Sequence, residues 1–281
     1  MSIQSVGAVE TEALCFRPNE AGGYWAEWRS DAVALEEPIE LRLTRPAEPL
    51  TLAVLMRTPA HDRELLTGWL ISEGLWTTEL KLVPDEENPN VWHLFAPQPE
   101  ALAGAARLGV SSSACGVCGT GSIERLSVQA ARPMWAGQKL PPELIASLPE
   151  RLHKAQAGFA LTGGLHAAGL FDSSGTLRAA FEDVGRHNAT DKVIGWAADK
   201  GLFDQSILCV SSRAGFEIVQ KAIMAGVAVV VTVGAASSLA VQTAQTFGVT
   251  LCAFTRQGKF NVYSGEERIL TAPAPQTPPH P

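Results

Sequence analysis

From about residue 157 the chain alternates short apolar runs with longer amphipathic stretches, and this rhythm restricts the fold more than any other feature of the sequence. LHAAGLF, the turn DSSG and TLRAAFED read as a hairpin. Then follow the helix GRHNATDKVIGWAADKG, the strand SILCVSS, the helix AGFEIVQKAIMAG, the strand VAVVVTV, the helix SLAVQTAQTFG and the strands TLCAFT and FNVYS. A hairpin feeding repeated strand–helix units predicts an α/β fold, with a mixed sheet carrying helices on its faces.

The first half is less regular. Residues 1 to about 50 mix β-like stretches with turn residues, and the alternation of Ile39, Leu41 and Leu43 predicts a strand with one buried face. MRTPAHDRELLTGWLISEGLW predicts a helix: Thr58 suits the cap, Pro59 the first helical position, Asp62 and Glu64 the positive end of the dipole, and Gly74 the stop. Leu65, Leu66, Trp69 and Leu70 form its apolar face. A Gly/Ser-rich segment and the Pro-marked connection PMWAGQKLPPELIASLPERL lead to the second half. The expected division is a smaller α+β domain over 1–135, an α/β domain over 136–270, and a disordered Pro-rich tail over 271–281.

The net charge of −7 argues against sequence-independent binding to nucleic acid, which needs a basic surface to displace counterions. The first twenty residues lack the basic start and apolar run of a secretory signal, and the run VAVVVTV is far too short to span a bilayer. A cytoplasmic protein without membrane contact is therefore expected. In a reducing compartment five cysteines are unlikely to be paired structurally, so cysteines close in sequence point to reactivity or metal binding.

Cys115 and Cys118, in SSSACGVCGTGSIE, are such a pair. A closed zinc site needs four ligands, yet Cys15, Cys209 and Cys252 are isolated and no His-x-x-x-His pair exists. A redox couple of thioredoxin type expects a strand and a helix around the motif, whereas Gly116, Gly119 and Gly121 surround these thiols. A thiolate on a movable arm could instead carry sulfur as a persulfide. The residues alone permit this last task without demanding it.

Three further constellations carry polar chemistry. On the helix opening at Gly185, His187, Asn188, Asp191 and Lys192 fall on one side, and Thr190, Val193, Ile194 and Ala197 on the core side. With Arg186 and Lys192 at a helix start, a phosphorylated ligand is expected on the polar side. In SSRAGFE, Ser211 or Ser212 suits a cap, and Arg213 stands at the carboxyl end of a strand, a favoured ligand position. In FTRQGKFNVY, Arg256, Lys259, Asn261 and Tyr263 combine donors with an aromatic ring around a Gly turn, as a nucleotide site or a plain surface hairpin would.

SACGVCG, TGGLHAAGLFD, EDVGRHNATDK and FEIVQKAIMAG, in this order, resemble the FdhD family of formate dehydrogenase accessory sulfurtransferases. The resemblance runs from EEPIELRL at 36 to NVYSGEERI ending at 269 and includes MRTPAHDRELLTGWLISEG. It implies a cytoplasmic, dimeric sulfur carrier. Such a carrier takes persulfide sulfur from a cysteine desulfurase and passes it to the Mo-bis(molybdopterin guanine dinucleotide) cofactor of formate dehydrogenase.

Residue by residue, Cys115 matches the persulfide-forming cysteine and Cys118 its companion. Phe254, Thr255, Arg256, Gln257, Gly258 and Lys259 match the stretch that binds the guanine dinucleotide, for which a guanine nucleotide is a mimic. His187, Asn188, Asp191, Lys192 and Arg213 are implied as further parts of that pocket. Gly215 departs from a frequent Ser. The resemblance also implies a cytidine-deaminase-like second domain without zinc: Asn188, Ala189 and Thr190 follow His187 where a deaminase needs Glu, and SSRAGFE has no cysteine. A chaperone that merely escorts the cofactor or the apo-enzyme, and a zinc-binding regulator, are the alternative classes.

Overall fold

A computed structural model describes residues 7–109, 130 and 133–271; Cys115, Cys118 and the Pro-rich tail from 272 onward lie outside the described residues. Strands β1 (Ala8–Pro18) and β2 (Tyr24–Ala34) form an antiparallel hairpin paired to no other described strand. A four-stranded sheet of order β4-β3-β6-β5 is built from β3 (Glu37–Leu43), β4 (Leu50–Arg57), β5 (Lys81–Pro84) and β6 (Val91–Phe95). Helices α1 (Asp62–Ser72) and α2 (Pro99–Gly109) accompany it. Ile39, Leu41 and Leu43 are fully buried against Leu65, Leu66, Trp69 and Leu70 of α1, as the two periodicities predict.

The second half forms a six-stranded sheet of order β12-β11-β10-β9-β7-β8. Its strands are β7 (His166–Phe171), β8 (Leu177–Asp183), β9 (Ile207–Val210), β10 (Val229–Thr232), β11 (Thr250–Arg256) and β12 (Lys259–Ser264). β9, β10 and β11 are parallel, while β7, β8 and β12 pair antiparallel with their neighbours. The sheet is thus mixed and covered by helices, as the sequence rhythm implied.

Along the central strands successive residues serve opposite faces. Leu208, Val210 and Val230 pack under α5 (Arg186–Ala198), α6 (Phe216–Met224) and α7 (Ser238–Phe247), whereas Ile207, Cys209, Val229 and Val231 meet α3 (Pro142–His153). Burial on both faces explains why these strands read as unbroken apolar runs. A short helix, α4 (Ala157–Thr162), follows α3. Among the described residues no helix is long and apolar enough to cross a membrane.

Three local readings change. PPELIASLPERL is not a plain connection but α3, with Pro142 at the helix start and Ile145, Leu148 and Leu152 buried at helical spacing. Thr58 does not cap α1: the helix starts at Asp62 behind His61 in the left-handed region (φ 59°) and Ala60 at φ 96°. The Thr58 hydroxyl accepts from the Val184 amide at 3.1 Å, and the Thr58 amide donates to Asp183 at 3.1 Å. Ser211 and Ser212 do not cap α6, which has Gly215 at its N-cap; the Ser211 hydroxyl accepts from the Ala167 amide, and that of Ser212 donates to the Arg213 carbonyl. For Thr58 and for the two serines, a tertiary or loop partner outcompetes the helix end.

Candidate functional site

The polar side of α5 does not face open solvent. α1 crosses it so closely that a Cβ at Gly195 would lie 1.9 Å from the Glu64 carbonyl oxygen. Asn188 donates to the Met56 carbonyl at 2.7 Å and to Asp183 at 3.0 Å. Lys192 Nζ contacts Asp183 Oδ2 at 2.7 Å and donates to the Thr58 carbonyl at 2.9 Å. Asp191 accepts from Lys221 at 2.7 and 2.9 Å and from the Ser72 hydroxyl at 2.7 Å. Burial pushes the Asp191 carboxyl up, while the Lys221 ammonium and the Ser72 hydroxyl oppose that shift. Asn188, Asp191 and Lys192 are each at least nine-tenths buried, so three of the four α5 residues assigned to the pocket are held inside the fold by partners from other elements.

His187 alone of the four is partly exposed, with 26% of its side chain accessible. Its Nε2 lies 2.7 Å from Glu217 Oε2, joining the starts of α5 and α6. The His187 ring at this distance holds the Glu217 carboxyl below the usual carboxylate range, against the effect of burial. Burial, helped by the nearby Arg186 and His187 charges, holds the His166 imidazole below its ordinary range. His166 stands beside the carboxyl end of β9, because the Ser211 amide donates to the Ala167 carbonyl and the Ser211 hydroxyl accepts from the Ala167 amide. Sequence reasoning assigned no role to His166 or Glu217: a histidine at a strand start and a glutamate in a helix's first turn are unremarkable until the topology joins them.

The remaining predicted residues lie around the same sheet end. The loop after β9 and the loop after β10 are tied by Gly234 N–H to Ser212 O at 3.0 Å and Ala214 N–H to Ala235 O at 2.9 Å. A side chain at Gly234 would meet Arg213 Cγ at 2.8 Å, so glycine permits the loops to touch. The Phe254 amide then donates to the Gly234 carbonyl at 2.9 Å. Phe254 adopts φ 55° where the β11–β12 register shifts, a bulge that re-aims the strand end.

Gln257 and Gly258, at φ 53° and 73°, make the two-residue turn into β12 that twisted strands favour. Phe254, Arg256, Gln257, Gly258 and Lys259 are exposed, Thr255 is fully buried, and the Arg256 guanidinium sits 6.0 Å from the Phe254 ring centre. Arg213 is exposed as well. The rim therefore offers cations suited to phosphate and an aromatic face suited to a base, at the carboxyl ends of parallel strands where ligands bind in open α/β sheets.

The described thiols have a different character. Cys209 and Cys252 both pair with Val231 in the central sheet and are fully buried. Burial pushes Cys252 up to about 12 and Cys209 higher still, so both stay protonated and unreactive at neutral pH. Among the described residues no group of three His, Cys, Asp or Glu side chains is placed to hold a metal ion.

A chain of this architecture has known relatives. It is 40% identical over 277 residues to the sulfur carrier protein FdhD of Thermoplasma acidophilum, covering 95% of each chain. It is 45% identical over 258 residues to the sulfur carrier protein FdhD of Corynebacterium efficiens, covering 85% of this chain and 91% of that one. The crystal structure of a formate dehydrogenase accessory protein from Desulfotalea psychrophila shares the fold, with a TM-score of 0.73, 23% identity and coverage of 94% of this chain and all of that one. The model of the FdhD/NarQ family matches residues 34–270, which span both sheets, the α1–α5 contact and the loops at the carboxyl ends of β9, β10 and β11; the chain belongs to the FdhD/NarQ family.

Proposed function

We propose that this chain is a cytoplasmic sulfur carrier that serves formate dehydrogenase, acting as a homodimer. It accepts sulfane sulfur at Cys115 from a cysteine desulfurase and delivers it to Mo-bis(molybdopterin guanine dinucleotide) before the enzyme takes up that cofactor. The metal centre is cargo, not a resident group. In the loading step the Cys115 thiolate attacks the terminal sulfur of the donor persulfide; the donor S–S bond breaks, the donor cysteine leaves as a thiolate, and Cys115 gains the sulfur. In delivery the Cys118 thiolate attacks the inner sulfur of the Cys115 persulfide: the outer sulfur leaves at the sulfide level to the cargo, and formation of the Cys115–Cys118 disulfide supplies the two electrons, after which a reducing thiol resets it.

The observation that supports this reading is the distribution of thiols within a family whose relatives are named sulfur carriers. Of the five cysteines, Cys209 and Cys252 are buried and held protonated and Cys15 stands alone on β1, which leaves Cys115 and Cys118 as the paired thiols for the task. Arg213, Arg256, Lys259 and Phe254 at the sheet end suit the guanine dinucleotide, with His187 beside them on α5. In this reading the second domain descends from a cytidine-deaminase-like scaffold whose zinc ligands are gone.

The test is mass spectrometry after incubation with a cysteine desulfurase and cysteine. An added sulfur should appear on the wild type and vanish in Cys115→Ala. Undiminished labelling of that variant would sink the assignment. Formate dehydrogenase activation that survives the double Cys115/Cys118 substitution would favour a non-catalytic chaperone instead.

A further inference from the structure

The hairpin of β1 and β2 has two unlike faces. Directly paired residues of antiparallel strands share a face, and the face alternates along each strand. One face carries Thr11/Asp31, Ala13/Arg29, Cys15/Glu27 and Arg17/Trp25. It is covered by its own charges, with Arg29 paired to Glu27 and the Arg17 guanidinium 5.8 Å from the Trp25 ring centre. The other face carries, toward the hairpin tip, the pairs Leu14/Trp28, Phe16/Ala26 and Pro18/Tyr24. Leu14 is 41% exposed, Phe16 63%, Tyr24 72% and Trp28 67%.

Among the described residues nothing covers the tip of that second face. The short helix α4 packs on the hairpin, and Ala34 at its base lies against Gly164, but the tip projects beyond. A lone two-stranded ribbon is marginal in water, and aromatic clusters of this kind on a surface mark interaction sites. The hairpin up to Val33 precedes the region matched by the family model.

We propose that this face is where two copies of the chain associate, a step that rests on the homodimeric reading above and assigns its surface. Consider a two-fold axis along the hairpin, between two ribbons packed face to face. Each β1 residue then lies over the partner's β2 residue with which its own copy is paired. Phe16 enters the notch at the partner's Ala26, walled by the partner's Tyr24 and the partner's Trp28, and Leu14 meets the partner's Trp28. Toward the base, Glu12 falls over the partner's Ser30 and Glu10 over the partner's Ala32, so no two carboxylates oppose each other. Such a surface is self-complementary in shape and charge, as an isologous contact requires.

The area also suffices. The exposed parts of Leu14, Phe16, Tyr24 and Trp28 amount to roughly 500 Å² per copy at the usual size of such side chains. Two copies then bury on the order of 1,000 Å², about the size at which specific association begins. An aromatic core with charges displaced to the rim matches the anatomy of stable interfaces.

Sedimentation equilibrium of the full chain at micromolar concentration tests this assignment. The wild type should be a dimer, and Phe16→Glu and Trp28→Glu should each raise the dissociation constant about thirtyfold or more, as loss of a buried aromatic anchor does. Thr11→Glu, on the opposite face, should leave it unchanged. Because these side chains lie outside the three buried clusters, all variants should keep the wild-type far-UV circular dichroism spectrum and Cys115 persulfide labelling. A dimer that survives both Phe16→Glu and Trp28→Glu overturns the surface while leaving the homodimeric reading standing; a monomeric wild type overturns both. Loss of persulfide labelling in the wild type would instead strike at the sulfur-carrier reading and leave the dimer surface intact.

Discussion

A methyl group at Gly68 would lie 1.9 Å from the carbonyl oxygen of Asp191, so α1 and α5 cross with backbone against backbone. In an open helix, replacing glycine by alanine would stabilise by roughly 1 kcal/mol. Here the contact is main chain on both sides and cannot yield by a side-chain rotation. Gly68→Ala is therefore expected to destabilise by about 3 kcal/mol, at the upper end of ordinary overpacking, with Gly195→Ala close behind. Urea unfolding midpoints of the two variants check this.

The crossing covers buried charges whose partners come from other elements, Lys221 of α6 for Asp191 and Asp183 of β8 for Lys192, while α1 adds the Ser72 hydroxyl to Asp191. Asp191 and Lys221 meet at 2.7 Å with almost no exposure. Lys221→Met strands the Asp191 carboxylate and is expected to cost about 3–5 kcal/mol, whereas combining it with Asp191→Leu should recover most of the loss. Lys192→Met should cost a similar amount by orphaning Asp183. A double-mutant cycle in denaturant separates the pair energies from the cost of an unpaired charge.

Acid should weaken the fold in two overlapping steps. The His166 pKa is lowered on folding from an ordinary value of 6.5, so the unfolded chain binds the proton more readily; the associated stability is present above 6.5 and is lost as pH falls. The Glu217 pKa is lowered from 4.5 by His187, so its contribution is present above 4.5 and disappears below it. Thermal midpoints should therefore fall from about pH 6.5 downward. Glu217→Gln should flatten the lower part of that fall and leave the upper part; an unchanged profile in Glu217→Gln would count against the pair's role.

The rim at Phe254 to Lys259 should bind a guanine nucleotide. Arg256→Ala is expected to weaken GDP binding by roughly tenfold or more, the loss of one charge-assisted contact. Arg213→Ala should act in the same direction. Calorimetric titration measures both, and equal affinity in Arg256→Ala would remove this stretch from the site.

The order of elements in the second half was legible in the chain itself. VAVVVTV and SILCVSS are apolar throughout because both faces of their strands are covered, and the helices between them carry one apolar stripe each. The motifs that mark the family are local strings and survive in one dimension. α3 was hidden by its prolines, and the β1–β2 hairpin by an apolar face that joins none of the buried clusters.

What only the tertiary structure decided is which polar groups find each other. Asn188, Asp191 and Lys192 look like a wet helix face until α1 is laid across them, a placement governed by glycines 127 positions apart, Gly68 and Gly195. Thr58 looks like a cap until Val184 and Asp183 claim it. The physical reason is common to both: periodicity reports the face that is apolar, while the fate of a polar side chain depends on whether a distant segment brings it a partner as water is excluded.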